Sequence, residues 1–226
     1  MTAPVSETRS AHPQAAAEPV FDDAFRRSLT SLMAWRRDVR RFRRDPLPDG
    51  ILDDLLAQAA TAPSVGLSEP WRFVLVESAP ARATVRASFE RENATALAER
   101  DSDAALYAGL KLAGLDAAPV QIAAFCADDT AKGRGLGVRT MPEMRAYSVV
   151  CAVMQLWLGA RAHGIGLGWV SILDPAEVAR ACRADPDWRL IAYLCLGYPE
   201  DTHLDCELER AGWEHRDRLA DRLTRA

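Results

Sequence analysis

Six arginines and one aspartate fall within the ten residues from Trp35 to Arg44, in the stretch WRRDVRRFRRDP. Arg36, Arg37 and Arg40 each carry a planar fork of N–H donors, which fits phosphate or carboxylate oxygens two at a time. Local density is the informative quantity, because arginine outnumbers lysine 26 to 2 along the whole chain. On the residues alone, an anion site and a solvated turn at a helix end fit equally well, since basic residues favour a helix C-terminus. A nucleic-acid face is disfavoured, as only Trp35 and Phe42 offer stacking surfaces among the arginines. Asp38 has two readings as well. It is either an ion-pair partner of a neighbouring arginine, which would favour its charged form, or a carboxyl positioned to carry protons.

Other residues with chemical potential are fewer. TAPSVGLSEPW (61–71) places small residues, serines and prolines directly before a strand candidate. It reads as an ordinary loop, or as backbone approaching a flat ligand with the Ser64 hydroxyl in reach. GIGLG (164–168) and GRGLG (133–137) invite a dinucleotide reading. That fingerprint follows a strand and opens a helix, whereas GIGLG follows a helix and opens a strand. Both are therefore expected to be turns and close-packing glycines, GRGLG in a mobile loop. His12, His163, His203 and His215 form no HExxH spacing, and Cys126, Cys151, Cys182, Cys195 and Cys206 no paired spacing. No metal site is expected. The scattered cysteines fit a reducing cytoplasm.

The elements that must position these groups follow from periodicity. Phe21, Phe25, Leu29, Leu32 and Met33 predict an amphipathic helix over 21–35. PLPDGILDDLLAQAATAP predicts a second, with Asp49 as its cap. Strands are expected at 71–78, 120–127, 166–173 and 190–199, and a solvated helix from about 81 to 100. Residues 101–115 read as an irregular helix or lid. Residues 142–163 form the longest apolar helix, expected to be buried on most sides in a way that suits a dimer. Asp174 caps a short helix with Pro175 in its first turn, and the polar residues 200–226 form an arm that wraps something.

This is an α+β pattern: a flexible tail over 1–20, then one domain over 21–226 that includes the arm. The chain has 226 residues, 49% of them hydrophobic, and a net charge of -4. Such a chain supports one substantial core, and mild acidity argues against bulk nucleic-acid binding. The N-terminus lacks the apolar segment of a signal peptide, and no run is long enough for a membrane helix.

Together the motifs resemble the flavin-dependent nitroreductase family. Arg36-Arg37-Asp38-Val39-Arg40-Arg41-Phe42 matches its opening signature, roughly R-R-S-x-R-x-F. Ala62-Pro63-Ser64 and Pro70-Trp71-Arg72-Phe73 match the second, and APVQIAAFC and GLGWVSIL follow in order. The match spans roughly Phe21 to Arg218. Asp38 departs from the family serine. With LKLAGLDAAP, GWVS and ERAGWEHR, it resembles the BluB branch, the flavin destructases that are 5,6-dimethylbenzimidazole synthases. The resemblance implies a nitroreductase-like fold, a mixed central sheet flanked by helices in an intertwined homodimer. It implies that reduced FMN is the substrate and O2 the co-substrate, and that the product is the lower ligand of cobalamin. FMN contacts are implied at Arg36, Arg37, Asp38, Val39, Arg40, Ser64, Leu112 and Ser171. With the resemblance, Asp38 is expected to relay protons and Ser171 to orient the flavin. Either Arg210 or Arg216 reaches the phosphate. A lid over 101–115 that excludes nicotinamide implies a separate flavin reductase as the source of reduced FMN. The alternatives are an NAD(P)H-dependent nitroreductase or flavin reductase, and a non-catalytic flavin-binding protein.

Overall fold

The structure, a computed structural model, describes residues 18–100, 102–110 and 114–225. Its centre is a four-stranded sheet in the order β1-β2-β4-β3, built from β1 (Trp71–Leu75), β2 (Val120–Ala127), β3 (Gly166–Val170) and β4 (Trp188–Gly197). All three strand pairings are antiparallel, so the expected mixed sheet is corrected. Among the described residues, the one parallel pairing is an isolated bridge from Asp38, outside the strands, to Leu167 of β3.

Alternation along the strands fixes two cores. Ile122, Ala124 and Cys126 of β2 and Ala192, Leu194 and Leu196 of β4 face one side. Ala123 and Phe125, with Tyr193 and Cys195, face the other. The first face is covered by α2 (Ile51–Ala59) and α5 (Met144–Ala162), the second by α3 (Ala79–Ala98) and α6 (Pro175–Ala181). Ser78 caps α3, and Asp174 caps α6 through Ala176 and Glu177. Asp49 does not cap α2. Gly50 holds the N-cap position at φ 80°, and no side chain caps the helix; glycine enters that left-handed conformation without steric cost.

Within one chain α5 is buried along one side only. Val149, Val153, Leu156 and Ala160 are fully buried, but Tyr147, Val150, Cys151 and Met154 are exposed. The α1 helix (Asp23–Trp35) packs against α5 and buries none of its own residues, leaving Phe25, Leu29 and Met33 exposed.

The 101–115 region contains α4 (Ala104–Gly109). Gln121 ties the segment beyond it to the sheet, donating to the Leu115 carbonyl at 2.7 Å and accepting from the Tyr193 hydroxyl at 2.7 Å. Leu112 lies outside the described residues, as do His12 and most of the 1–20 tail. The C-terminal arm, with α7 (Glu207–Arg210), wraps its own chain. Trp213 lies beside Tyr107 of α4, and the Arg100 guanidinium is 4.4 Å from the Tyr107 ring and 4.9 Å from the Trp213 ring.

Candidate active site

The arginine-rich segment is seated before its charges come into play. Phe42 is driven into the second core at 1% exposure, which anchors the stretch on the sheet. Val39 then lies across β3, its N–H donating to the Leu167 carbonyl at 3.0 Å. Gly166 and Gly168 make that approach possible. A Cβ on Gly166 would sit 2.7 Å from Val39 Cγ2, and one on Gly168 would collide with the Val39 carbonyl oxygen. The GIGLG run therefore serves a turn, at Gly164 with φ +73°, and close packing.

This seating puts the Asp38 side chain at the edge of β3, where a neighbouring strand would supply a carbonyl. Oδ1 accepts from the Trp169 N–H at 2.9 Å, and Oδ2 from Arg40 Nε at 3.2 Å. The ion pair exists, yet burial pushes the carboxyl above its usual range, against the lowering effects of the Trp169 N–H and of Arg40; Glu207 raises it further. The side chain is surrounded by protein but keeps 37% of its surface open to solvent, because it lines a pocket between its own segment and the arm.

The arginines divide by what already occupies them. Arg40 also donates to the Leu110 carbonyl at the end of α4, at 3.3 Å, which links Asp38 to the lid region. Arg37 donates to the carbonyls of Arg36 and Leu204. Arg41 pairs with Glu207 at 3.2 Å, and Arg210 with Asp205 at 2.7 Å. The Arg36 guanidinium stacks 4.5 Å from the Trp157 ring. Arg210 lines the pocket; Arg216 lies 3.7 Å from Glu209 on the surface. An anion nevertheless has donors to meet: Arg37 Nε and Arg161 Nε and Nη1 are buried without an acceptor among the described residues. Such orphaned cationic donors fit a ligand with a phosphate.

Ser64 and Ser171 are not brought to this pocket within one chain. The Ser64 hydroxyl accepts from the Glu69 N–H at 3.1 Å, a loop-closing role. The adjacent Val65 N–H donates to Ser148 in the first half of α5. The arginine segment instead meets Trp157, whose Nε1 donates to the Arg37 carbonyl. Nine helical residues separate Ser148 from Trp157, about 14 Å of rise. Ser171 is exposed just past the end of β3, two residues beyond the Trp169 N–H that holds Asp38. Arg161 was not singled out from the sequence. Its signal was a cation near the end of an apolar helix, one turn after Trp157. Among the described residues, no three His, Cys, Asp or Glu side chains are grouped to hold a metal, and no helix is long and apolar enough to cross a membrane.

Residues 33–198 match the family model of the nitroreductase family. The chain is 51% identical over 201 residues to 5,6-dimethylbenzimidazole synthase of Rhodospirillum rubrum, covering 88% of this chain and 94% of the relative. It is 46% identical to the protein of the same name from Rhodobacter capsulatus, covering 86% and 94%. Among solved structures, oxidized iodotyrosine deiodinase bound to FMN and 3-iodo-L-tyrosine superposes with a TM-score of 0.66 at 27% identity, covering 77% of this chain and 91% of that one. The chain belongs to the nitroreductase family and, within it, to the 5,6-dimethylbenzimidazole synthases.

Proposed function

We propose that the chain converts reduced FMN, with O2, to 5,6-dimethylbenzimidazole, and that it acts as a homodimer fed by a separate flavin reductase. The observation that carries the reading is Asp38: a carboxyl with a raised pKa, facing a pocket with unfilled cationic donors, where the family signature has serine. Reduced flavin and O2 supply the oxidising chemistry. Breaking the ring system and side chain apart needs protons delivered and removed at defined atoms, and positioned acid–base groups contribute about 10²–10⁴-fold to such steps.

The two carboxylate oxygens divide this work. Oδ1 is fixed by the Trp169 N–H. Oδ2 has only the longer bond from Arg40, and it is the oxygen that exchanges a proton. Burial raises the proton affinity toward the working pH, while Arg40 keeps the anion attainable after the proton leaves. Ser171, beyond the same strand edge, orients the flavin. Arg40, bonded to both Asp38 and Leu110, couples the carboxyl to the lid region, whose closure excludes water.

The test supplies the protein with chemically reduced FMN and air and follows 5,6-dimethylbenzimidazole by mass spectrometry. Wild type is expected to release it. Asp38→Asn is expected to lose about 10²–10⁴-fold in rate while binding oxidised FMN within a few-fold of wild type. Intact FMN after long aeration with wild type would refute the reading. Rapid bleaching of bound flavin by NADPH alone, with no such product, would instead make the chain an NAD(P)H-dependent reductase.

A further inference from the structure

The pocket beside Asp38 holds a buried guanidinium with no hydrogen-bond acceptor among the described residues. Arg161 stands near the C-terminus of α5 with 4% of its surface exposed. Its guanidinium carbon lies 3.4 Å from the centre of the Trp35 ring. Nε and Nη1 are buried with no hydrogen-bond partner, and among the described residues no carboxylate pairs with it. Burial alone depresses its pKa, with no opposing charge. Of the other arginines on this pocket, Arg40 pairs with Asp38, Arg41 with Glu207 and Arg210 with Asp205, while Arg37 donates to two backbone carbonyls and leaves its Nε unfilled.

A guanidinium taken out of water without a counter-charge is unfavourable, and stacking on an indole offsets only part of that cost. Stacking also orients it. A guanidinium lying on a ring face keeps its N–H groups directed outward in its own plane, the arrangement in which it meets two oxygens of one phosphate. Arg161 lines the pocket, so a ligand there would meet this side chain, whose Nε and Nη1 are shut off from solvent and unfilled.

We infer that Arg161 is the buried anchor for the terminal phosphate of the flavin nucleotide, and so the residue that makes the chain select FMN over riboflavin. The assignment rests on the flavin reading above and deepens it. It adds to the implied contacts in Arg36–Arg40 a residue from a different element, the C-terminal end of α5. Trp35 is its platform. The arginines of the signature segment, largely engaged with Asp38, Glu207 and backbone carbonyls, shape the pocket around it.

The experiment measures dissociation constants of oxidised FMN and of riboflavin, by quenching of flavin fluorescence, for wild type, Arg161→Lys and Arg161→Gln. Hydrogen bonds to a charged group are worth roughly 10- to 100-fold in affinity. R161Q is therefore expected to weaken FMN by about that factor and to leave riboflavin within about threefold. R161K, which keeps the charge and loses the fork, should fall between. Inorganic phosphate should compete with FMN on wild type and not with riboflavin. An unchanged ratio of FMN to riboflavin affinity in R161Q would overturn the inference, and with loss of a dimer it would reassign Arg161 to a carboxylate of a second copy. Should R161Q not fold by circular dichroism, the ratio in R161K decides by the same criterion. Wild type that binds both flavins equally overturns this inference alone; wild type that binds neither overturns the flavin reading itself.

Discussion

Asp38 is held by two donors, yet its proton affinity is set mainly by what surrounds it. Burial raises the pKa more than the Trp169 N–H and Arg40 lower it. The direction has a consequence for stability. Between the raised folded value and the ordinary carboxylate value of 3.8, the folded state holds a proton that the unfolded state has released. Asp38 therefore adds stability as pH falls through that window, and the contribution is lost as pH rises through the folded value. Asn at this position does not titrate. Urea unfolding of wild type and Asp38→Asn at pH 7 and near pH 4 should show the difference moving in favour of wild type at the lower pH. A difference that is flat with pH, or that moves the other way, would mean the paired anion is the preferred form and would remove the basis for proton delivery by Oδ2.

At the scale of elements, the active segment depends on two missing side chains in β3. Gly168→Ala would drive a Cβ into the Val39 carbonyl oxygen, a backbone atom that cannot rotate away. Overpacking of this kind costs about 1–3 kcal/mol. Here it would also lift Asp38 from the Trp169 N–H. The variant should be less stable by that amount in urea unfolding and should lose product formation by more than the stability loss explains. Gly109→Ala, where a Cβ meets nothing within 4 Å, is the control and should change neither. A wild-type rate in G168A would show that the seating of Val39 on β3 is not what positions the carboxyl. These two glycines also mark what the sequence could reveal. Their order, helix then glycines then strand, was enough to reject a dinucleotide loop and expect close packing, because that inference is local. The four strands were legible for the same reason, as apolar runs of the right length. Strand directions were not, since pairing partners are far apart in the chain, and the mixed sheet drawn from resemblance gave way to an antiparallel one. The arginine cluster was visible as density. Which arginine lacks a partner was not, because a guanidinium finds its acceptors across the fold: Arg40 at Leu110, Arg41 at Glu207.

At the scale of the whole molecule, α5 has a second face with no work to do in one chain. Tyr147, Val150, Cys151 and Met154 lie at helical spacing and are exposed, and Phe25, Leu29 and Met33 of α1 expose an apolar stripe on the helix packed against it. Apolar stripes on adjoining helices mark a surface for association. A second copy is the occupant that also resolves the separation of the signature residues. The stripe is centred near Val150 and Cys151, between Ser148, beside the Ser64 loop, and Trp157, beside the arginine segment. In the homodimer proposed above, a twofold axis through that stripe would lay α5 antiparallel on its mate. The Ser64 loop of one copy would then be brought toward the Asp38 and Arg161 pocket of the other, across the roughly 14 Å of helix that separates them in one chain. Met154→Lys tests this. Burial of a methionine is worth about 1.5–3 kcal/mol, and the symmetry counts the loss twice, so the dimer should weaken at least about a hundredfold and sediment as monomer at micromolar concentration. Ala87→Lys, on the solvated face of α3, should leave the assembly unchanged. If the flavin site is shared between copies, the M154K monomer must also bind FMN poorly although Met154 is not among the residues lining the Asp38 pocket. Monomeric M154K that binds FMN as wild type does would confine the site to one chain and leave Ser64 out of it; M154K that remains dimeric would take the association surface away from α5.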